Sequence, residues 1–169
     1  NIFRKARGIE IELPLRRMEY NDAVEIYGSD KPDTRFDLKL QDLKEVFKNT
    51  TFEGFKVQYV KGIVVNDVAD KTSRKNIDEL VDLAKKFGLK GLTTLKVVEG
   101  KLEGSFLKFM SEEEQSSLMS TLNLKNNDLV IIAASDSQHH CCFGLGAIRS
   151  FYAKKLNLIK PDTFDLLWV

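Results

Sequence analysis

The sequence is poor in cysteine and has almost no net charge, and each shortage excludes a class of protein. Its two cysteines are adjacent, at Cys141 and Cys142, so disulfides cannot form its framework and a reducing compartment is expected. The 26 basic residues are balanced by 25 acidic ones, and a net charge of +1 gives no general attraction to nucleic acid or membranes. Any contact with RNA must therefore come from a local group of basic side chains.

Long apolar runs are also missing. No stretch approaches the roughly 20 residues that a membrane span needs, and the first residues lack the apolar segment of a signal peptide. We therefore expect a cytoplasmic protein with no membrane partner.

The chain opens without Met and stops at Leu166-Leu167-Trp168-Val169, which is typical of a strand rather than of a mobile tail. We accordingly expect it to be a piece of a larger protein.

What the sequence does contain is the pattern of one domain with a flanking arm. With 43% hydrophobic residues in 169, it can bury an ordinary core. The periodicity predicts strands at 9–13, 55–65, 92–98 and 128–134, and helices at 20–27, 43–47, 74–87, 112–121 and 137–156. Residues 99–104 are predicted to form a loop and 106–109 a helical turn. This order predicts an α+β fold: a two-layer sandwich of a mixed or antiparallel sheet with helices on one face, plus an irregular N-terminal arm.

Two glycines interrupt the last predicted helix. Gly144 and Gly146 each cost about 1 kcal/mol relative to Ala inside a helix. We expect either that this turn packs closely against the sheet or that the helix begins late.

A polar segment, called here the signature loop, runs from Tyr27 to Phe36 and reads YGSDKPDTRF. Gly28 suits the end of the preceding helix, and Pro32 prevents the helix from continuing. The loop resembles the YGSDKPD-x-R-F segment of bacterial aspartyl-tRNA synthetases. The preceding residues 14–20, PLRRMEY, resemble that family's P-x-x-R-M-T-Y, with Glu19 where the family usually has Thr. The candidate site residues in the loop are Gly28, Ser29, Asp30, Lys31, Pro32, Asp33 and Arg35.

Further similarities to the same family follow in order along the chain. Residues 87–92 resemble a segment in which a helix end continues into a strand, and Ser105–Phe109 resembles S-P-V-A-K-F. Gly144–Arg149, GLGAIR, is similar to A-L-G-A-L-R, and Asp162–Val169 resembles the return to the catalytic core. The resemblance therefore covers essentially the whole chain.

The resemblance implies a division of the chain and a parent enzyme. Residues 1–44 would be a catalytic-domain flank with the signature loop, 45–160 a GAD-like inserted domain, and 161–169 the return toward the catalytic core. The parent would be a class II aspartate–tRNA ligase, a homodimer that uses ATP and Mg to attach aspartate to tRNA(Asp). The family's motifs 2 and 3 do not occur here. We therefore assign no catalytic, cofactor-binding or metal residue, and expect a non-catalytic, positional role close to tRNA.

An alternative is a free-standing tRNA-binding or interaction module. The resemblance allows it, because the GAD domain of this synthetase family is shared with an amidotransferase subunit. Residues 14–36 argue against it, since they resemble the synthetase itself. We also expect residues 1–40 to be held less firmly than the domain, because their partners would be catalytic-domain strands.

Basic side chains flank the 74–87 helix. The candidates for contacts with tRNA phosphates, called here the basic set, are Arg74, Lys75, Lys85, Lys86 and Lys90. The alternative is that these residues are only a solvated helix face.

Other groups of reactive residues have simpler interpretations. His139-His140-Cys141-Cys142 could bind metal or act in catalysis, but four consecutive helical residues cannot converge on one ion, so we expect a helix start with partly buried cysteines. Asp30 and Asp33 could form an acid–base pair, although turn stabilisation is the more common role. Glu112–Glu114 suits the first turn of a helix. Lys101, between Gly100 and Gly104, does not match a phosphate-binding loop.

Overall fold

The computed structural model describes residues 4–5 and 8–169. The strands are β1 Arg16–Arg17, β2 Gln41–Asp42, β3 Tyr59–Val65, β4 Thr93–Val98, β5 Lys101–Glu103, β6 Leu129–Ser135 and β7 Leu167–Trp168. The α-helices after residue 8 are α1 Tyr20–Tyr27, α2 Arg74–Lys85, α3 Glu112–Thr121 and α4 Gln138–Lys155, and Glu53–Phe55 and Ser105–Phe109 form 3₁₀ turns.

Five strands form one antiparallel sheet in the order β2-β3-β6-β4-β5. The central pair is the longest: β3 runs against β6 from Tyr59 opposite Ser135 to Val65 opposite Leu129. A separate parallel pair joins β1 to β7, so the two flanks of the chain meet beside the domain. The predicted α+β class is confirmed. Of the two sheet types predicted, mixed and antiparallel, the five-stranded sheet is antiparallel.

The sheet has a hydrophobic core on each face, because successive side chains of β3 and β6 point to opposite sides. Ile63 and Ile131 face the first core, which α2 and α4 cover as predicted. Val60 and Ile132 face a second core. That core is covered by α3, by the turn at 44–49 and by a cluster of phenylalanines, which are Phe47, Phe52, Phe55, Phe106 and Phe109. Covering elements therefore lie on both faces, not only on the one that the sequence predicted.

Local signals account for the helix boundaries. Ser111 and Glu114 form the predicted reciprocal cap of α3, and Ser73 and Asn76 form the same arrangement at α2. Gly28, in the left-handed conformation with φ of 66°, ends α1 as predicted.

Three local predictions are wrong. Residues 8–12 have no regular secondary structure where a strand was predicted, and the predicted helix at 43–47 is a hydrogen-bonded turn at 44–49. The loop predicted at 99–104 contains β5, which pairs with β4. Glu99 and Gly100, with φ of 49° and 75°, form the tight turn of this hairpin.

The second half of the N-terminal arm is packed onto the domain. Ala23 and Val24 of α1 are almost fully buried, and Val24 belongs to the first core. The Leu40 amide donates to the Ile26 carbonyl at 2.8 Å, and the Leu43 amide donates to that of Val60 at 2.8 Å. Residues 20–43 therefore pack on the domain, whereas the sequence analysis expected their partners only in the catalytic domain; faster exchange of residues 1–40 stays a prediction. None of the helices in residues 4–5 and 8–169 has the length and apolar character of a membrane span.

Candidate functional site

The signature loop leaves α1 at Gly28 and lies between α4 and the C-terminal segment. The Gly28 amide closes the helix by donating to the Val24 carbonyl at 2.9 Å, and Ser29 Oγ accepts the Lys31 amide at 3.0 Å. Asp30 and Lys31 are exposed, whereas Phe36 is buried. The loop thus has a solvent-facing tip and a buried base.

Asp33 and Arg35 form a two-point ion pair within the loop. Arg35 Nε donates to Asp33 Oδ1 at 2.9 Å and Nη2 donates to Oδ2 at 2.7 Å. The side-chain hydrogen bonds from Arg35 lower the pKa of Asp33 against the opposing effect of burial. Both carboxylate oxygens are engaged and the group stays ionised, so Asp33 suits loop stabilisation better than an acid–base pair with the exposed Asp30.

The C-terminal segment contacts the other side of the loop. Arg35 Nη1 donates to the Thr163 carbonyl at 3.2 Å. Asp165 Oδ2 accepts from Arg16 Nη2 at 2.9 Å and from Thr34 Oγ1 at 2.5 Å. Together with the β1–β7 pair, these contacts bring residues 16–17, the loop and residues 163–168 into one place.

The main buried contact of the loop is Arg149, on α4. Its side chain donates to three main-chain carbonyls: Nε to Leu38 at 3.0 Å, and Nη2 to Asp33 at 2.8 Å and to Phe36 at 3.0 Å. The guanidinium carbon lies 3.9 Å from the ring centroid of Phe36 and 5.0 Å from that of Tyr27. Arg149 is only 2% exposed, and burial lowers its pKa from the usual value.

Sequence reasoning missed Arg149 as a site residue, although a signal was present. Leu145, Ile148 and Tyr152 mark the buried face of α4, and Arg149 lies on that same face. A charged residue among core positions must find buried partners. Two of the segments that carry the family resemblance, the signature loop and Gly144–Arg149, are thus in direct contact.

Close contacts with neighbouring residues explain both glycines of α4. A Cβ atom at Gly146 would lie 2.1 Å from the Gly28 carbonyl oxygen, and one at Gly28 would lie 2.3 Å from the Cys142 oxygen. A Cβ at Gly144 would meet Leu89 Cδ1 at 2.3 Å. Close packing was one predicted explanation and is found, but the partners are the end of α1 and Leu89 rather than the sheet. The helix itself begins at Gln138, so the late start is excluded.

An ion pair between a buried lysine and a half-buried glutamate ties α1 to the sheet. Lys61, on β3, has a side chain that is only 4% exposed, and its ammonium pairs with Glu25 of α1. Gln138, at the start of α4, donates to the same carboxylate. Burial raises the pKa of Glu25, but the hydrogen bonds from Lys61 and Gln138 and the charge of Lys61 outweigh it, so the net shift is downward. Three elements therefore meet at one carboxylate.

The basic set lies elsewhere and is split in two. Arg74 and Lys75 begin α2, whereas Lys85 and Lys86 end it, about 16 Å away at 1.5 Å per residue. All five members are exposed. Lys85 also lies 3.7 Å from Asp82 in an exposed ion pair.

Each end of the basic set borders an open groove. Arg74 lines a groove of about 720 Å³ together with Lys96, Lys108 and Phe109. Lys90 lines another of about 770 Å³ together with His140 and Phe52. The basic set therefore forms two separate basic ends and not one continuous patch.

The His139–Cys142 cluster is divided by the helix. The two histidines are exposed, with His139 stacked on Phe143 at 4.3 Å, whereas Cys141 and Cys142 are fully buried, more so than predicted. Burial raises the pKa of Cys141 to about 12 and that of Cys142 to about 11, so both stay protonated thiols. Within residues 4–5 and 8–169, no group of three or more His, Cys, Asp or Glu side chains is placed to hold a metal ion.

The sequence is similar to curated proteins over nearly its whole length. It is 47% identical over 169 residues to the aspartate–tRNA ligases of Streptococcus pneumoniae (strain Hungary19A-6) and Streptococcus agalactiae serotype III (strain NEM316). The match covers 99% of this chain but only 28% and 29% of those proteins. The chain therefore spans less than a third of the length of these relatives.

Comparison with solved structures finds a hypothetical protein from Pyrococcus horikoshii OT3, with a TM-score of 0.41 and 23% identity, covering 65% of this chain and 55% of that one. Comparison with protein families gives a match to the GAD domain over residues 52–143, which is more than half of the chain and includes β3 to β6. The chain belongs to the GAD domain family.

Proposed function

We propose that the chain is the part of a bacterial aspartate–tRNA ligase that contains the GAD domain, and that it contributes no catalytic group of its own. The observation that carries this proposal is the extent of the similarity: 47% identity extends over 99% of the chain, including the arm and the signature loop. In this proposal the whole enzyme is a cytoplasmic homodimer that uses ATP and Mg to attach aspartate to tRNA(Asp).

The proposed division has residues 45–160 as the inserted domain, with 1–44 and 161–169 as flanks that belong to the catalytic domain. Two observations support it. The family match at 52–143 lies inside the proposed domain. The flanks also pair with each other through β1 and β7. This pairing is expected of an inserted domain, because the chain then leaves the host domain and returns to it at neighbouring positions.

The domain's own role, in this proposal, is positional: it lies close to bound tRNA and helps to place it. The basic set supplies candidate phosphate contacts, and the grooves beside Arg74 and Lys90 give each basic end a concave surface. The signature loop, with Gly28, Ser29, Asp30, Lys31, Pro32, Asp33 and Arg35, is the proposed link between this domain and the catalytic side.

A chimeric enzyme tests the proposal. This chain would replace the matching segment of the S. pneumoniae ligase, and the unmodified ligase would be the control. We expect the chimera to charge tRNA with aspartate, because the segment supplies structure that a 47% identical sequence preserves. We expect this chain alone to give no aspartate-dependent pyrophosphate exchange. A folded chimera that fails to charge tRNA, or a chain that activates aspartate alone, would contradict the proposal.

A free-standing tRNA-binding module is the second candidate. It is favoured by the two cores, since both faces of the sheet are covered within this chain and the domain does not need a partner to complete them. Salt-sensitive binding of tRNA by the isolated chain, together with an inactive chimera, would favour this second candidate over the first.

A further inference from the structure

Arg149 contacts the base of the signature loop and not its exposed tip. Its three acceptors, the carbonyls of Asp33, Phe36 and Leu38, lie within six consecutive residues. A guanidinium presents its donors in one rigid plane, so it satisfies three carbonyls only when the chain follows one particular course. Lysine, which offers a single point charge, cannot impose the same constraint.

One of these acceptors belongs to a strained residue. Leu38 has a φ of 100°, a region that residues other than glycine rarely occupy. Such a conformation persists only where the surroundings fix it. The Leu38 carbonyl is held by Arg149, and Leu38 packs against the first core. The strain and the hydrogen bond are therefore found at the same residue.

The rings beside Arg149 complete its surroundings. Phe36 and Tyr27, at the two ends of the loop, both present a ring face to the guanidinium. At the start of the loop, the backbone contact between Gly28 and Gly146 sets the distance between α1 and α4. The start and the base of the loop are thus both fixed by α4, which belongs to the proposed inserted domain.

We propose that Arg149 is a positioning residue through which α4, in the proposed inserted domain, fixes the signature loop for the ligase reaction. It touches no substrate: it holds the base of the loop so that the tip, Ser29–Lys31, projects in a defined arrangement. Thr34 and Arg35, next to that base, contact Asp165 and Thr163 of the flank. The use of the loop in the ligase reaction rests on the proposed function, whereas the control of loop conformation by Arg149 does not.

Hydrogen exchange on this chain tests the conformational half. In Arg149→Lys, which keeps the charge, we expect exchange within residues 29–38 to rise about tenfold or more, while β3 and β6 keep their protection. Trypsin should also cut faster after Arg35. The matched control is Arg74→Lys, on the exposed start of α2, which should change neither measurement. Unchanged exchange in the loop, or an equal rise throughout the chain, would overturn the proposal.

A second variant covers the case in which Arg149→Lys does not fold. Phe36→Leu keeps an apolar side chain but removes the ring on which the guanidinium rests. We expect a smaller rise in exchange, confined to the loop and the residues up to Leu38. If the variant folds and its loop exchanges like that of the original chain, Arg149 does not depend on these surroundings and the proposal fails.

The chimeric ligase tests the functional half. We expect Arg149→Lys to lower kcat of aspartate-dependent pyrophosphate exchange about tenfold, with KM for tRNA in the charging reaction unchanged, because the loop meets the flanks and not the basic set. An effect on tRNA KM alone would overturn this assignment, as would unaltered exchange kinetics in a chimera whose loop is loosened. A chimera inactive with Arg149 in place would instead count against the proposed function, and hydrogen exchange would still decide the role of Arg149 in the loop.

Discussion

The signature loop and the basic set are both polar and both reach solvent, yet they differ in packing. The loop is packed against α4 and the C-terminal segment, whereas the side chains of the basic set are exposed. The loop has specific partners at three places: Gly146 at its start, Arg149 at its base, and Thr163 and Asp165 at its side. The basic set lies at or just beyond the two ends of α2 and is exposed to solvent, and Lys85 forms only an exposed ion pair, with Asp82 at 3.7 Å.

In the loop, therefore, the side chains determine the backbone conformation, whereas in the basic set they determine only the local charge. The contacts of Arg149 at the base of the loop are buried and made to main-chain carbonyls, so altering them must alter conformation. The basic residues can lose their charge while the helix stays as it is, so any role they have must appear in long-range, salt-dependent binding. Substitutions in the two regions should therefore differ in stability and in salt dependence.

The largest effect is expected at Gly146. Replacing it with Ala puts a Cβ atom 2.1 Å from the Gly28 carbonyl oxygen, a main-chain atom that cannot move without shifting α1. We expect Gly146→Ala to lower the free energy of unfolding by about 3 kcal/mol. Helix propensity alone predicts the opposite sign, a gain of about 1 kcal/mol. Urea unfolding decides between the two.

The matched control is Gly91→Ala, because a Cβ at Gly91 lies in open space among the residues that the structure describes. It should change stability by no more than about 0.5 kcal/mol. If Gly146→Ala is as stable as this control, the contact between α1 and α4 does not hold the loop in place.

The next effect concerns the ion pair between Lys61 and Glu25. Lys61→Met leaves the half-buried Glu25 carboxylate without its ammonium, and we expect a loss of about 2 kcal/mol at neutral pH. The control is Lys48→Met, which removes an exposed ion pair to Glu45 at 3.1 Å and should cost less than about 0.5 kcal/mol.

The same pair predicts a pH dependence. The folded-state pKa of Glu25 is below its ordinary value of 4.5. A lowered pKa means that the ionised carboxylate stabilises the fold, so its contribution is present above pH 4.5 and is lost as the pH falls through the folded-state pKa. The stability difference between the original chain and Lys61→Met should therefore shrink in acid unfolding curves as the pH falls below 4.5 and through the lowered folded-state pKa of Glu25. A difference that stays constant down to pH 2 would count against the pair.

Much of the fold could be predicted from local signals. The bounds of α1 and α3 match the sequence prediction because each has a short-range marker, Gly28 for one and the Ser111–Glu114 cap for the other. The central strands were predicted because both are rich in apolar residues. The strand β5 was missed because its three residues lie between glycines, and only the register with β4 makes it a strand.

The base of the loop could not be predicted in the same way. Arg149 binds carbonyls 111 to 116 positions earlier in the chain. Main-chain acceptors carry no residue-type signal, so the sequence shows that Arg149 is unusual on an apolar face but not what it binds. Gly146 is similar: its cost to the helix was visible, but the partner, the end of α1, follows only from the tertiary packing.

A smaller effect is expected at Asp33, within the loop itself. Asp33→Asn removes the partly exposed ion pair to Arg35 but leaves the Asp33 carbonyl on Arg149. We expect a loss of at most about 1 kcal/mol, because solvent screens such pairs. Hydrogen exchange should show residues 36–38 still protected. Loosening of those residues would mean that the side-chain pair, and not Arg149, fixes the base of the loop.

The smallest effect on stability, and the sharpest test of the contrast, is expected in the basic set. Lys85→Gln with Lys86→Gln should leave the free energy of unfolding within about 0.5 kcal/mol of the original, because both side chains are exposed. If they contact tRNA phosphates, affinity should fall and the slope of log K against log salt should flatten by about 0.7–0.9 per lost contact. Arg74→Gln with Lys75→Gln tests the other end of α2 separately. Lys154→Gln with Lys155→Gln, two exposed lysines ending α4, makes the same change in net charge and is the control. Equal slopes for all three pairs would mean that net charge alone matters and that the basic set is a solvated face; a flatter slope for one end of α2 alone would identify the groove beside it as the tRNA-facing surface.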